Sequence, residues 1–283
     1  MTLSIIICSR THKISKDLSE NIKNTVGCDY QLIIIDNSEN TYSIYEAYNL
    51  GISKSNGEYM CFIHDDILFH TIGWGSILNT IFNKNLNIGL IGVAGAKFKT
   101  KMPSVWWYTP EDQKAMYIIQ HLRDGTIVTQ SYGFKESCME EVVTIDGVFM
   151  ALRKSTNIVF NTQLKGFHNY DLNLSFESLK NGYKIVVTNL IKIEHFSPGD
   201  INDSWIDSTY VIHNLYKDIL PLSISGNNKN KKFEVENAKR FINKCLNFND
   251  KKKAFSIWKR LVKLKPYSKF HYKFIRNIIK TTL

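Results

Sequence analysis

Three short apolar runs open this chain, at residues 3–8, 31–35 and 59–63. Each is too short for a stable helix and rich in isoleucine or aromatics, so each reads as a buried strand. Between them, 16–26 reads as a weak helix. Residues 42–54 read as a second helix, with Ile44, Ala47, Tyr48 and Ile52 on one side. A helix at 72–83 and a glycine-containing strand from Ile88 to Ala96 continue the series. Strands and helices alternating across short connections predict a parallel sheet with right-handed crossovers. In such a sheet the ligand sits beyond the carboxyl ends of the strands. All three runs end there in polar residues: Ser9-Arg10, Asp36-Asn37 and His64-Asp65-Asp66. These tips are expected side by side, forming one site.

Two carboxylates and an imidazole at the end of a buried strand are costly without a partner. A divalent cation is the natural one, because hard cations take carboxylate oxygens and bring phosphate oxygens with them. No GxGxxG or GxxxxGK[ST] follows the first strand, which argues against a dinucleotide dehydrogenase and a Walker-type NTPase. A bound phosphate here needs a metal. Charge narrows the partners further. Residues 229–283 carry 17 Lys and Arg against 3 acidic residues, +14, while 1–228 carry about −4 of the +10 total. A near-neutral body with a basic tail does not suit a nucleic-acid enzyme. It suits a small ligand in the body and an anionic surface against the tail. No apolar run approaches the ~20 residues of a membrane span. The N-terminus reads as a strand, not a signal peptide. Five scattered cysteines without a CxxC pair read as reduced thiols of a cytoplasmic protein.

Residues 97–145 read as irregular, with hairpin-like pieces at Asp124-Gly125 and Tyr132-Gly133. Trp106 and Trp107 are adjacent, so a regular strand buries only one of them. The other is left for a ligand, a partner or a lid. Val142 to Leu152 is an apolar strand broken by Asp146-Gly147, which is either a tight turn or part of an acceptor site. A helix of about ten residues opens near Tyr170-Asp171 and ends at the good C-cap Asn181-Gly182. Strands follow at 183–188 and 191–194, the second running into His195. A basic linker at 227–232 precedes amphipathic helices at 234–247, 251–265 and 269–280. The expected organisation is a body of 1–226 and a basic helical region of 227–283. In the third helix Phe270, Phe274, Ile275 and Ile278 form an apolar side beside Lys273, Arg276 and Lys280. Such a helix suits either packing or an anionic membrane surface, placing the protein in the cytoplasm or peripherally on the inner membrane face.

Several blocks, in order over residues 3–200, carry a resemblance. They are Ser4-Ile5-Ile6-Ile7-Cys8-Ser9-Arg10, then Leu32 to Ser38, then Ala47-Tyr48-Asn49-Leu50-Gly51-Ile52 with Gly57-Glu58-Tyr59. After them come Phe62-Ile63-His64-Asp65-Asp66, Ile145-Asp146-Gly147-Val148-Phe149-Met150, and Tyr170-Asp171-Leu172-Asn173-Leu174 with Gly182-Tyr183-Lys184. Together they resemble the family 2-type glycosyltransferases of GT-A fold, and more narrowly bacterial glycosyltransferase-like proteins with His-x-Asp in place of Asp-x-Asp.

The resemblance implies a Rossmann-like, mostly parallel sheet flanked by helices, with a helical C-terminal appendage. It implies an inverting, metal-dependent sugar transfer from a nucleoside-diphosphate sugar, a UDP-sugar first, to a hydroxyl of a glycan or lipid-linked acceptor in bacterial surface glycan synthesis. By it, Asp36 bonds the base, Ser9 and Arg10 line the nucleoside pocket, and Asp65 serves ribose or phosphate. Asp66 takes Mn²⁺ or Mg²⁺, with His195 and His64 as further ligands; imidazole suits Mn²⁺ better. Asp171 is the general base. The sequence departs from the family pattern at His64, where an aspartate is expected, and at Tyr170, where a glutamate is expected. Read from the residues alone, Asp171 also suits a helix N-terminus, His195 is also a plain loop histidine, and His168 is a further available ligand. A nucleotidyltransferase and a non-catalytic sugar-binding protein are the alternative readings. The first lacks its glycine-rich loop in Ser9-Arg10-Thr11-His12-Lys13.

Overall fold

The computed structural model describes residues 3–199, 201–226 and 230–280. Its first half follows the alternating pattern: β1 (Leu3–Ser9), α1 (Lys16–Thr25), β2 (Tyr30–Asp36), α2 (Ile44–Lys54) and β3 (Tyr59–Ile63). Ser43 begins α2 with a full capping box, its side chain and that of Glu46 each closing on the other's backbone. All five residues of β3 are buried, as a strand covered on both faces must be. Next come β4 (Ile67–Phe69), α3 (Trp74–Lys84), β5 (Ile88–Gly92), β6 (Ala94–Ala96) and β7 (Phe98–Lys99). The stretch 97–145 is more ordered than its sequence suggests. It holds the hairpin β8 (Lys114–His121) and β9 (Ile127–Tyr132), turning at Asp124-Gly125, and then β10 (Met139–Val142). The chain goes on through β11 (Thr144–Ile145), β12 (Phe149–Arg153), α4 (Tyr170–Lys180), β13 (Lys184–Thr188) and β14 (Ile193–His195). It closes with α5 (Asp203–Leu215), β15 (Leu222–Ser223), α6 (Lys231–Asn247), α7 (Lys251–Leu264) and α8 (Lys269–Lys280).

The main sheet has the order β10-β13-β5-β12-β3-β1-β2. Five strands run one way; β12 and β10 run against them. The sheet is therefore mostly parallel, as expected, with reversed strands where the chain returns from the second sheet. That sheet runs β11-β6-β8-β14-β4, with β9 on β8. The apolar run Ile88 to Ala96 is thus not one strand. It breaks after Gly92, and its halves serve different sheets.

Residues 227–229 of the expected basic linker lie outside the described residues, and Lys231 and Lys232 already belong to α6. Helices α6 to α8 enclose a second apolar core with Phe241, Ile242, Ile257, Leu261 and Phe274. Trp205 and Ile206 of α5 and Met102 and Val105 of the loop after β7 enter the same core. Of the two roles that the last helix suits, packing and an anionic surface, its apolar side takes the first. Phe274 is buried and stacks on Trp258, and Phe270 and Ile278 pack on the same core. Only Ile275 of that set is exposed. No helix among the described residues is long and apolar enough to cross a membrane.

Candidate metal and nucleotide site

Parallel pairing puts the ends of the first three strands in line. Ser9 stands opposite Asp36, and Ile7 opposite Ile63, one residue before His64. Beyond β3 the chain leaves the main sheet: β4 pairs with β14 antiparallel, setting His195 opposite Ile67. A bond of 3.1 Å from Phe196 N to Asp66 O pins the two segments together. Asp66 and His195, 129 apart in sequence, are thus brought together by one short strand pair.

His64, Asp66 and His195 converge. His64 Nδ1 and His195 Nε2 each lie 3.6 Å from Asp66 Oδ1 and 3.4 Å from each other. Among the described residues this is the one set of three or more such side chains whose donor atoms all lie within 4.8 Å. The outer ring nitrogens are both engaged. His64 Nε2 meets the Tyr170 hydroxyl at 2.5 Å, and His195 Nδ1 meets Gln120 Oε1 at 3.0 Å. The Gln120 amide is itself oriented, its Nε2 donating to Ser197 O at 3.0 Å. Its oxygen therefore accepts, His195 Nδ1 carries the proton, and Nε2 keeps its lone pair for the cluster. Outer bonds of this kind orient the ligands of metal sites. Two imidazoles and one carboxylate at these separations fit one divalent transition-metal ion. Burial pushes the Asp66 carboxyl up, but the bonds from His195 and His64 outweigh it and hold it well below the usual range. Burial likewise lowers the His64 imidazole, and Asp66 more than offsets it.

Asp171 lies in the first turn of α4, next to Tyr170. Its Oδ1 accepts from Leu172 N at 2.8 Å. Burial pushes its carboxyl up to about 7, with the Asp146 charge adding to the effect. Asp146 is held from two sides. Its Oδ1 accepts from Val148 N at 2.9 Å, the tight-turn bond, and its Oδ2 accepts the Trp106 indole N–H at 2.7 Å. Gly147 lets the Tyr170 ring lie on the backbone, since a Cβ there would stand 2.4 Å from the Tyr170 hydroxyl oxygen. Of the tryptophan pair, Trp106 is buried and Trp107 exposed, as their adjacency requires.

At the first two strand ends the picture is mixed. Arg10 clasps Asp65, with Nη2 to Oδ1 at 2.8 Å and its backbone N to Oδ2 at 3.1 Å. Asp36 stands exposed, paired with His12 Nδ1 at 2.7 Å and bonded by the Ser38 hydroxyl at 2.7 Å. The His12 bond, with the Ser38 bonds behind it, holds its carboxyl down at about 2. Ser9, expected to line the pocket, is fully buried. Its hydroxyl accepts from Thr11 N at 3.2 Å and so shapes the turn behind the site. His168 lies outside the cluster, its Nε2 on Asn202 and Ser204. Sequence reasoning missed Gln120, His12 and the Trp106–Asp146 bond. A single glutamine in an irregular segment gives no signal, and His12 was visible in its motif without any sign of its partner.

The family model described as "Glycosyltransferase like family" matches residues 4–234. No curated protein matches the chain by sequence. Among solved structures, Staphylococcus aureus TarS 1-349 in complex with UDP is similar at a TM-score of 0.51 and 12% identity. That match covers 86% of this chain and 72% of TarS. GalNAc-T7 with UDP, GalNAc and Mn²⁺ is similar at a TM-score of 0.50 and 10% identity, covering 83% of this chain and 54% of its own. These likenesses establish a shared GT-A-like fold.

Proposed function

Because the chain belongs to the glycosyltransferase like family, we propose that it transfers a sugar from a nucleoside diphosphate to an acceptor hydroxyl, with inversion at the anomeric carbon. UDP is the proposed carrier, since both similar structures contain it. The acceptor belongs to a glycan or a lipid-linked precursor of a bacterial surface polymer. One observation carries the reading: a His–Asp–His set with its free nitrogens converging, beside a carboxylate that burial has raised to about 7.

His64, Asp66 and His195 would hold Mn²⁺, or less favourably Mg²⁺; when bound, the ion supplies Lewis-acid stabilisation of the leaving diphosphate. Asp171 takes the proton of the attacking hydroxyl, and a base with a pKa near the working pH serves that step best. Asp36 and Arg10 hold the nucleoside and so place the anomeric carbon for attack. Asp65 acts there through Arg10, whose guanidinium it fixes. Trp106 and Asp146 form the wall on the acceptor side.

The test is a thermal-shift screen of nucleotide sugars with and without Mn²⁺, followed by donor hydrolysis and transfer assays. Metal-dependent stabilisation by a UDP-sugar and metal-dependent turnover are expected. Binding without any turnover across acceptors would favour a non-catalytic sugar-binding role. Release of pyrophosphate from a nucleoside triphosphate would favour a nucleotidyltransferase.

A further inference from the structure

A cavity of about 520 Å³ opens where the body meets the C-terminal helices, and no residue proposed for transfer lines it. Four cationic side chains surround it: Lys101 from the loop after β7, Lys231 from the first turn of α6, and Arg260 and Lys263 from α7. Met102, Pro221 and Leu264 supply an apolar wall. One carboxylate is present, Glu234, and the backbone already uses both its oxygens. They accept from Lys101 N at 2.7 Å and Met102 N at 2.9 Å. The Arg260 guanidinium donates to Lys101 O at 3.2 Å, which fixes it at the cavity edge. The three lysine ammonium groups have no carboxylate partner among the described residues.

Four cations against one committed carboxylate repel one another unless an anion joins them. The volume lies in the range of small-molecule sites. It exceeds what an inorganic phosphate fills, and the apolar wall offers a phosphate nothing. A ligand with a phosphate head and an apolar remainder satisfies both halves of the lining. Helix insertion is not an alternative route to a membrane, because α8 spends Phe270, Phe274 and Ile278 on internal packing. We propose that this cavity binds the phosphate head and first apolar segment of an anionic phospholipid. The +14 region of 229–283 supplies the long-range attraction, and the cavity supplies the specific seat.

The test uses the full-length protein and calorimetric titration with short-chain dihexanoyl phosphatidic acid below its micellar concentration. Glycerol 3-phosphate and inorganic phosphate serve as headgroup-only probes. The lipid should bind at least about tenfold more tightly than either, because only it meets the apolar wall. The double variant Lys231→Glu/Lys263→Glu should lose about tenfold or more of that affinity. The charge-matched control Lys269→Glu/Lys273→Glu, on exposed positions outside the cavity, should keep it. Vesicles of phosphatidylcholine with phosphatidic acid should bind the parent, and both double variants less. Unchanged melting temperatures in the variants would separate loss of binding from loss of fold. The proposal fails if phosphate alone binds as tightly as the lipid, if the two double variants lose the same affinity, or if the soluble lipid does not bind at all. None of these readouts depends on sugar transfer.

Discussion

At the scale of single residues, the two departures from the family pattern turn out to touch. Tyr170 stands where a glutamate is expected and His64 where an aspartate is expected, and the Tyr170 hydroxyl bonds His64 Nε2. A neutral phenol beside an imidazole fixes one ring nitrogen and releases the other toward Asp66 and His195. Tyr170→Phe should therefore leave the ring packing intact and weaken Mn²⁺ binding by ~10–100-fold, the usual worth of an outer-shell bond. Titration of Mn²⁺ by calorimetry checks this, and unchanged affinity would remove Tyr170 from the site. Asp66→Ala should go further and abolish Mn²⁺-dependent stabilisation by UDP, with melting of the metal-free protein little altered. Asp171 yields a prediction with two signs. Its raised pKa means that transfer should rise with pH and level off above about 7. The folded state binds its proton more tightly than the unfolded chain, so stability falls as pH rises from the ordinary carboxylate range to about 7. Asp171→Asn should thus cut transfer by ~10²–10⁴-fold and raise the melting temperature more at pH 8 than at pH 4. A variant that loses activity and stability together would mark Asp171 as structural.

At the scale of elements, the strands with one apolar character were legible and the mixed ones were not. The runs at 3–8 and 59–63 announce β1 and β3 because burial on both faces demands unbroken apolar residues. The run at 31–35 announces β2 by its β-branched residues, although β2 is an edge strand with Ile34 exposed. Asp36, Asp65 and Asp66 could be placed because they end or follow such strands, and Asp171 because it opens a helix within a block that carries the resemblance. The hairpin of β8 and β9 was half hidden, since every second residue of β9 faces solvent. Helix α5 gave no apolar period because two of its inward positions are polar. Thr209 accepts from Asn169 at 3.0 Å, and His213 Nε2 faces the buried Lys99 ammonium at 2.8 Å. Burial lowers Lys99 to about 7, and its contacts to Ser104 and His213 satisfy it without a carboxylate. The one local signal for α5 was Asn202, which caps it by accepting from Trp205 N at 3.0 Å. Asn202→Ala should cost about 1 kcal/mol, read as a lower urea midpoint, while Mn²⁺ binding stays unchanged. An unaffected midpoint would mean that tertiary packing alone holds the start of α5.

At the scale of the whole molecule, α5 decides how far the basic helices stand as a separate unit. Its first turn, Trp205 and Ile206, lies in the core of α6 to α8, while Ile212 and Tyr216 farther along lie in the core of the main sheets. A single helix of 13 residues therefore feeds both cores. The loop after β7 does the same from another direction. Met102 and Val105 enter the second core, Trp106 enters the first, and Glu234 of α6 holds the loop's backbone at Lys101 and Met102. Composition divides the chain at about 227 because charge changes there, but charge lies on the surface and says nothing of which apolar residues meet beneath it. Unfolding of the second core should strip cover from Trp205 and Met102 and loosen α5, which the first core needs. Calorimetry of the full chain should thus show one cooperative transition, with equal calorimetric and van't Hoff enthalpies. Truncation after residue 226 should leave an apolar face open, with raised dye binding and a lower melting temperature for what remains. Truncation after Tyr267 removes α8 and opens a smaller face, since among the described side chains of that helix Phe274 alone is fully buried in that core. It should give the milder loss. Two resolved transitions in the full chain, the first carrying the signal of Trp205 and Trp258, would instead make the helical region an independent domain and confine the coupling to the loop at Lys101.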